Sequence, residues 1–279
     1  MIKSKSTFAK FICIILVLGA CKKGSNDEPS NSNTNVSGKI KRIVYSNPST
    51  RKASIKTFEY DGNNRISKLN YWMEDSSSNP VTITYKSYSS LSYDGTNQFP
   101  NKNTITKDLG EIDSTLYYYD LQNRITKEDF YIGSQVGSRN TYSYLSPGVI
   151  LQTYYVLIGS TLLVSTIDSL LYNSQNKLLE MRFYAENGTY RGNATFEYDD
   201  KSNPLSSISA FTYIYSLNND DFGLLFRAPN NLIKTIDNQS SGTYITNYTL
   251  NYSLNSFPIN GTSTTNTSST ISTITYDYY

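Results

Sequence analysis

The sequence predicts an all-β protein: an up-and-down antiparallel meander of about 16–18 strands, drawn into a strongly curled sheet or a flattened barrel, with no helices beyond an N-terminal signal peptide. Three observations lead there. Tyrosines recur at a nearly constant spacing, period-two alternation runs into each of them, and turn-forming residues follow. Apolar residues are 38% of the 279-residue chain, but that share counts 26 tyrosines. Without them about 29% remains, thin for an aliphatic core. Tyrosine must supply much of the buried area.

The repeat is read by setting a tyrosine as position zero: Tyr60, Tyr93, Tyr119, Tyr144, Tyr172, Tyr198 and Tyr252. The gaps are 33, 26, 25, 28, 26 and 54 residues, the last being twice 27. Two residues earlier stand Phe58, Leu91, Tyr117, Tyr142, Leu170, Phe196 and Leu250, all large, and between them mostly polar residues such as Glu59, Ser92, Glu197 and Asn251. That alternation makes each tyrosine the end of a strand with one buried face. Asp61, Asp94, Asp120, Asn173 and Asp199 come next, side chains that accept a backbone hydrogen bond two residues on and start a turn. Three further along, Asn64, Asn97, Asn123, Gly148, Asn176, Ser202 and Ser256 are expected in the left-handed conformation that closes a type I turn with a bulge. The chain is then apolar again at Ile66, Phe99, Ile125, Ile150 and Leu178, with Pro204 and Pro258 in the last two copies. Each unit is strand, tight turn, strand, of about 26 residues.

Asp61-Gly62-Asn63-Asn64-Arg65-Ile66 and Asp120-Leu121-Gln122-Asn123-Arg124-Ile125 resemble the YD repeat of the RHS-like family, in which a Tyr-Asp pair and a following Arg mark successive hairpins. The later copies, around Tyr198-Asp199 and Tyr252-Ser253, are more similar to an uncharacterised family of Bacteroidota lipoproteins with YD-like hairpins. That resemblance covers most of residues 38–279. It implies a porin-like, all-β fold and carries little about activity.

Residues 1–20 have the form of a lipoprotein signal peptide. Lys3, Lys5 and Lys10 precede the apolar run Phe11–Leu18, about 12 Å as a helix and far short of a bilayer core. Leu18-Gly19-Ala20 before Cys21 form a lipobox, and Cys21 is the expected lipidation site. Residues 21–37 then comprise the lipidated cysteine and a flexible linker, and 38–279 a YD-like hairpin repeat domain. The linker Lys22–Ser37 has a root-mean-square reach of about 20–24 Å and roughly 55 Å at full stretch. Lys22 is not the Asp that retains lipoproteins at an inner membrane, which points to the outer membrane. The expected partners are that membrane, through the lipid, and a glycan or an envelope protein.

Composition excludes much chemistry. Histidine is absent, which removes every His-based triad, ligand set and proton shuttle. Cys13 leaves with the leader and Cys21 carries lipid, so no disulfide, thiolate nucleophile or thiolate metal site remains. Removing the three leader lysines from 25 basic residues leaves 22 against 23 acidic, near −1. No basic stripe survives for nucleic acid. No cofactor, metal or catalytic residue is expected. Asp199-Asp200 and Asp220-Asp221 are the acid pairs a carboxylate hydrolase would need, and Asp61-Gly62-Asn63-Asn64 lacks the acidic count of a calcium loop. Trp72 with Tyr117 and Tyr119 is the candidate ligand platform, aromatic faces suited to sugar rings, against the plainer reading of cross-strand pairs. A carrier remains an alternative, its apolar cavity lined by the position-zero and minus-two residues.

Overall fold

The computed structural model describes residues 38–206 and 228–279. Leu18, Gly19, Ala20, Cys21, the linker and Asp220-Asp221 therefore lie outside the described residues.

Among the described residues, sixteen strands follow one another along the chain: β1 (Ile40–Ser46), β2 (Lys52–Tyr60), β3 (Ile66–Asp75), β4 (Thr82–Tyr93), β5 (Pro100–Lys107), β6 (Ile112–Tyr119), β7 (Ile125–Ile132) and β8 (Gln135–Ser146). The second half has β9 (Val149–Ile158), β10 (Thr161–Tyr172), β11 (Leu178–Ala185), β12 (Tyr190–Ser202), β13 (Asn230–Gln239), β14 (Gly242–Tyr252), β15 (Pro258–Thr265) and β16 (Ser268–Tyr278). Every strand pairs with its sequence neighbours, and β1 pairs antiparallel with β16, Ile43 opposite Tyr276 and Tyr45 opposite Ile274. The meander is thus a closed barrel, the outcome that removes unpaired sheet edges.

The tyrosines sit where the repeat places them. A register shift marks each of Tyr60, Tyr93, Tyr119, Tyr172, Tyr198 and Tyr252, and one follows Tyr144. Asn64, Asn123, Asn176 and Ser256 take φ between 58° and 63°, and Gly148 takes 79°, closing the turns as the sequence predicts. Two stations differ. After Tyr93 it is Gly95, not Asn97, that takes the left-handed position (φ 56°), because a residue without Cβ is available earlier in the turn. After Tyr198 the strand runs on to Ser202, and the turn comes only at Asn203–Ser206, where the Ser206 N–H donates to the Asn203 carbonyl at 3.1 Å. Since β12 pairs directly with β13, the 54-residue gap is not two hairpins of the wall.

All the tyrosine turns lie at one end of the barrel, together with the start of β1 and the end of β16; we call this the tyrosine end and the opposite one the mouth. Cross-strand partners share a face. The inward set, including Ile43, Tyr45, Phe58, Leu69, Leu91 and Ile274, carries the core. Its largest cluster joins these to Ile40, Ile66, Ile105 and Leu205, the last entering from the connection after β12. Smaller clusters, around Leu170, Leu178 and Met181 and around Tyr117 and Ile125, also lie toward the tyrosine end.

Candidate functional site

Each station is a joint between hairpins. The Tyr60 hydroxyl donates to the Ile40 carbonyl (2.9 Å), Tyr93 to Ile66 (2.7 Å), Tyr119 to Pro100 (2.6 Å), Tyr144 to Ile125 (2.9 Å) and Tyr198 to Leu178 (3.0 Å). In every case the acceptor belongs to the first residues of the preceding strand, so the phenol clamps one hairpin to the one before it. Tyr278 does the same to Pro258 at 2.7 Å, an eighth station 26 residues beyond Tyr252 that the sequence reading passes over. Burial drives the Tyr60, Tyr93, Tyr198 and Tyr278 hydroxyls far above the usual phenol range, which keeps them protonated donors. Tyr172 and Tyr252 depart from the rule. The Tyr172 hydroxyl is buried without a hydrogen bond, and Tyr252 donates instead to Asp199.

The acid after the tyrosine builds the turn. Asp61 accepts from the backbone N–H of Asn63 and Arg65 at 2.9 Å and from the Arg65 guanidinium at 2.7 Å. Arg65 then lies 4.2 Å from the centre of the Tyr93 ring and donates to the Gly95 and Asn97 carbonyls. Asp120 and Arg124 repeat this geometry, with Arg124 4.2 Å from the Tyr144 ring. Burial opposes ionisation of both acids, but these hydrogen bonds outweigh it and hold the carboxyls below the usual range. Asp61 has no oxygen left over for calcium. Asp94 accepts from Asn101, and Asp199 accepts from Lys201, Asn231 and Tyr252, so Asp199 is a structural acceptor; Asp200 faces water beside Lys201.

The outward face of the tyrosine half is charged and paired. Arg42 meets Asp277 at 3.8 Å, Glu59 meets Lys68 at 3.6 Å, Glu180 meets Arg182 at 2.9 Å and Glu197 meets Lys234 at 2.7 Å. Asp129 is covered by Lys127 (3.0 Å) and Arg139 (2.5 Å), and Lys127 rests 3.7 Å from the centre of the Tyr118 ring. These pairs ring much of the barrel.

Inside, the two ends differ. Inward side chains near the tyrosine end are sealed: Ile40, Ile43 and Ile66 are at 0% exposure. A cleft there of about 50 Å³, lined by Leu205, Tyr248, Leu250 and Ile274 among others, has room for only a few waters. The cavity a carrier would need along the position-zero and minus-two residues is thus filled by packing at Phe58, Leu91, Tyr117 and Leu170. Further along, a polar row crosses β7 to β9. Glu128 accepts from Asn140 and Tyr142 at 2.9 Å each, and Asn140 accepts from Gln152 at 3.1 Å. Gln152 pairs with Asp168 on β10, whose carboxyl burial raises to about 6 despite the pull of Arg191. At the mouth itself the inward Ile132, Ile158 and Leu163 keep 62%, 60% and 47% of their surface exposed, so this end is open.

The structure does not bring the aromatic platform together. Trp72 faces outward on β3, opposite Ile55 and Lys86, and its indole N–H donates to Glu74 at 2.8 Å. Tyr117 faces inward on β6 at 4% exposure, and Tyr119 is committed to the Pro100 carbonyl. Strand alternation separates them: the partner register Phe58–Leu69 puts Leu69, Tyr71 and Met73 inside and leaves Trp72 outside. The sequence reading missed the ion-pair ring and the open mouth.

No family model matches the chain, and no curated protein does. Among solved structures it is similar to a porin-like protein from Bacteroides vulgatus (12% identity, TM-score 0.49) and a porin-like protein from Bacteroides uniformis (9% identity, TM-score 0.44), in each case over 86% of this chain and 98% of the other. A protein of unknown function from Bacteroides fragilis is similar over 50% of this chain and 87% of its own, at 14% identity and a TM-score of 0.24.

Proposed function

We propose that this chain is an outer-membrane lipoprotein, held by a lipid on Cys21, whose barrel stands in water as a non-catalytic binding or structural module and does not conduct. The ring of outward ion pairs carries this reading. A basic side chain facing lipid costs about 2–4 kcal/mol at mid-bilayer and about 0–1 near the interfaces. Lys127 and Arg139 on Asp129 lie midway along β7 and β8, and the pairs nearer the tyrosine end carry the charge further round the face a spanning barrel must keep apolar. A spanning strand takes about 9–11 residues; β1 with 7 and β5, β6, β7, β11 and β15 with 8 fall short of that, while the remaining strands of the wall reach it. The packed tyrosine end leaves no continuous lumen among the described residues. The Asp–Arg turns that reach the next tyrosine support the likeness to YD-repeat hairpins.

The partner we propose is a glycan or an envelope protein; of the aromatic residues singled out, Trp72, beside Lys86 and Tyr88, is the one on the outer face. Metabolic labelling with a fatty acid, fractionation and planar-bilayer recording test the main reading together. Labelling lost in Cys21→Ala and an electrically silent protein are expected. Stepwise conductance from the purified chain would overturn it.

A further inference from the structure

The mouth-side half of the hairpin of β9 and β10 is apolar on both faces, with no charged side chain near its tip. There is no Asp, Glu, Lys or Arg between Arg139 and Asp168. Register places Val156, Ile158 and Leu163 inward and Leu157, Leu162 and Val164 outward, around a two-residue Gly159-Ser160 turn at the mouth. Ile158 and Leu163 are exposed at the tip, and the adjacent β7–β8 tip adds Ile132 at 62% exposure. Other mouth turns also expose apolar side chains, Leu109 at 90% and Val81 and Ile83 at about half, but Leu109 lies between Asp108 and Glu111 and the β3–β4 tip is flanked by Asp75 and Lys86; Glu186–Thr189 and Ser240-Ser241 are polar.

We infer that this hairpin tip dips into the surface of a lipid bilayer, an inference that rests on the anchored-lipoprotein reading above. A protein partner or a bound ligand would cover one face of a hairpin. Hydrocarbon surrounds both, which is what side chains apolar on both faces call for. The absence of charge fits the acyl boundary better than the head-group plane alone. The tether allows the contact. A ten-residue strand such as β9, tilted as barrel strands are, rises about 25 Å, and the linker joining Cys21 to the tyrosine end stretches to roughly 55 Å. The ion-pair ring lies toward the other end and stays in water. Uncharged contacts of this kind bind neutral and anionic vesicles alike and change little with salt.

The test uses the acylated full chain reconstituted on phosphatidylcholine vesicles, with the Cys21 thiol blocked by its lipid. A single cysteine introduced by Ile158→Cys, or by Leu121→Cys at the tyrosine end, carries a polarity-sensitive fluorophore. Both positions are exposed, so neither substitution disturbs packing. A several-fold rise in emission at position 158, quenched by lipids brominated in the acyl chain, with position 121 unchanged, is the expected result. A label at 158 that stays wet while mass spectrometry finds the acyl group on Cys21 overturns the inference and leaves the anchor reading standing. An unacylated Cys21 overturns the anchor reading; the label is then placed in a Cys21→Ala background, where a dry label at 158 still supports the hairpin contact. A label already dry without vesicles indicates a second copy on the tip, and one dry at both positions removes the orientation. Either result overturns the bilayer assignment.

Discussion

Asp168 is an inward carboxylate whose burial is poorly compensated, and Asp168→Asn turns that into a measurable gain. Its flanking partners on the inner face are Gln152 and Phe183, and the distant Arg191 only partly offsets desolvation. Its carboxyl titrates near 6 in the folded barrel against 3.8 for the ordinary group. A raised carboxyl pKa means that the native state holds the proton more tightly than the unfolded chain. Stability from this group is therefore full below about pH 4 and is lost as pH rises through about 6. At about 1.4 kcal/mol per unit the ceiling is about 3 kcal/mol, and partial exposure brings the expected cost to about 2 kcal/mol at neutral pH. The amide keeps the shape and drops the charge. Urea unfolding should show the variant more stable than the native chain by about 2 kcal/mol at pH 7.5, with the two converging near pH 4. Equal midpoints at pH 7.5, or a gap that widens toward acid, would refute the assignment.

Four further outcomes follow from the joints and the packing. Tyr93→Phe removes the bond to the Ile66 carbonyl and should cost about 1–2 kcal/mol in urea, whereas Tyr172→Phe, which deletes a buried hydroxyl with no partner, should cost nothing. Arg65→Lys loses a stacked, forked contact from a side chain only 9% exposed and should lower the melting temperature clearly, while Arg124→Lys, at 47% exposure, should shift it less. Thr115→Val exchanges a fully buried hydroxyl without a hydrogen bond for a methyl and should stabilise by about 1 kcal/mol in the same assay. Gly192→Ala, at φ 149° with its new Cβ 2.1 Å from the Asn238 carbonyl oxygen, should cost about 3 kcal/mol or more and show as protease sensitivity.

Strand number, strand ends and most turns were legible because the signal is local: a minus-two residue, a tyrosine, an acid and an Asn or Gly three residues later. That the wall holds one hairpin, β13–β14, and not two between Tyr198 and Tyr252 was not, since a spacing of twice 27 has the same arithmetic in either case. Closure depends on Ile43 meeting Tyr276, a pairing across nearly the whole chain that no window reveals. Tyr278 was visible at the right interval but reads as an aromatic terminus without its acceptor, Pro258. The opposed faces of Trp72 and Tyr117 follow from hairpin register, and grouping them by aromatic character alone passed over that parity. Which end is packed and which is open emerges only from contacts across the barrel, such as Leu205 against the β1–β5 residues.

The seam between first and last strands is bridged by Tyr279, whose N–H and hydroxyl donate to the Lys39 and Phe58 carbonyls, and the strands on either side keep the same joints as the rest, Tyr60 to Ile40 and Tyr278 to Pro258. A hoop assembled from equivalent links has no privileged beginning. Gain or loss of one link during descent would alter its girth and still leave every margin paired, so relatives of this chain can be wider or narrower without inventing a new architecture.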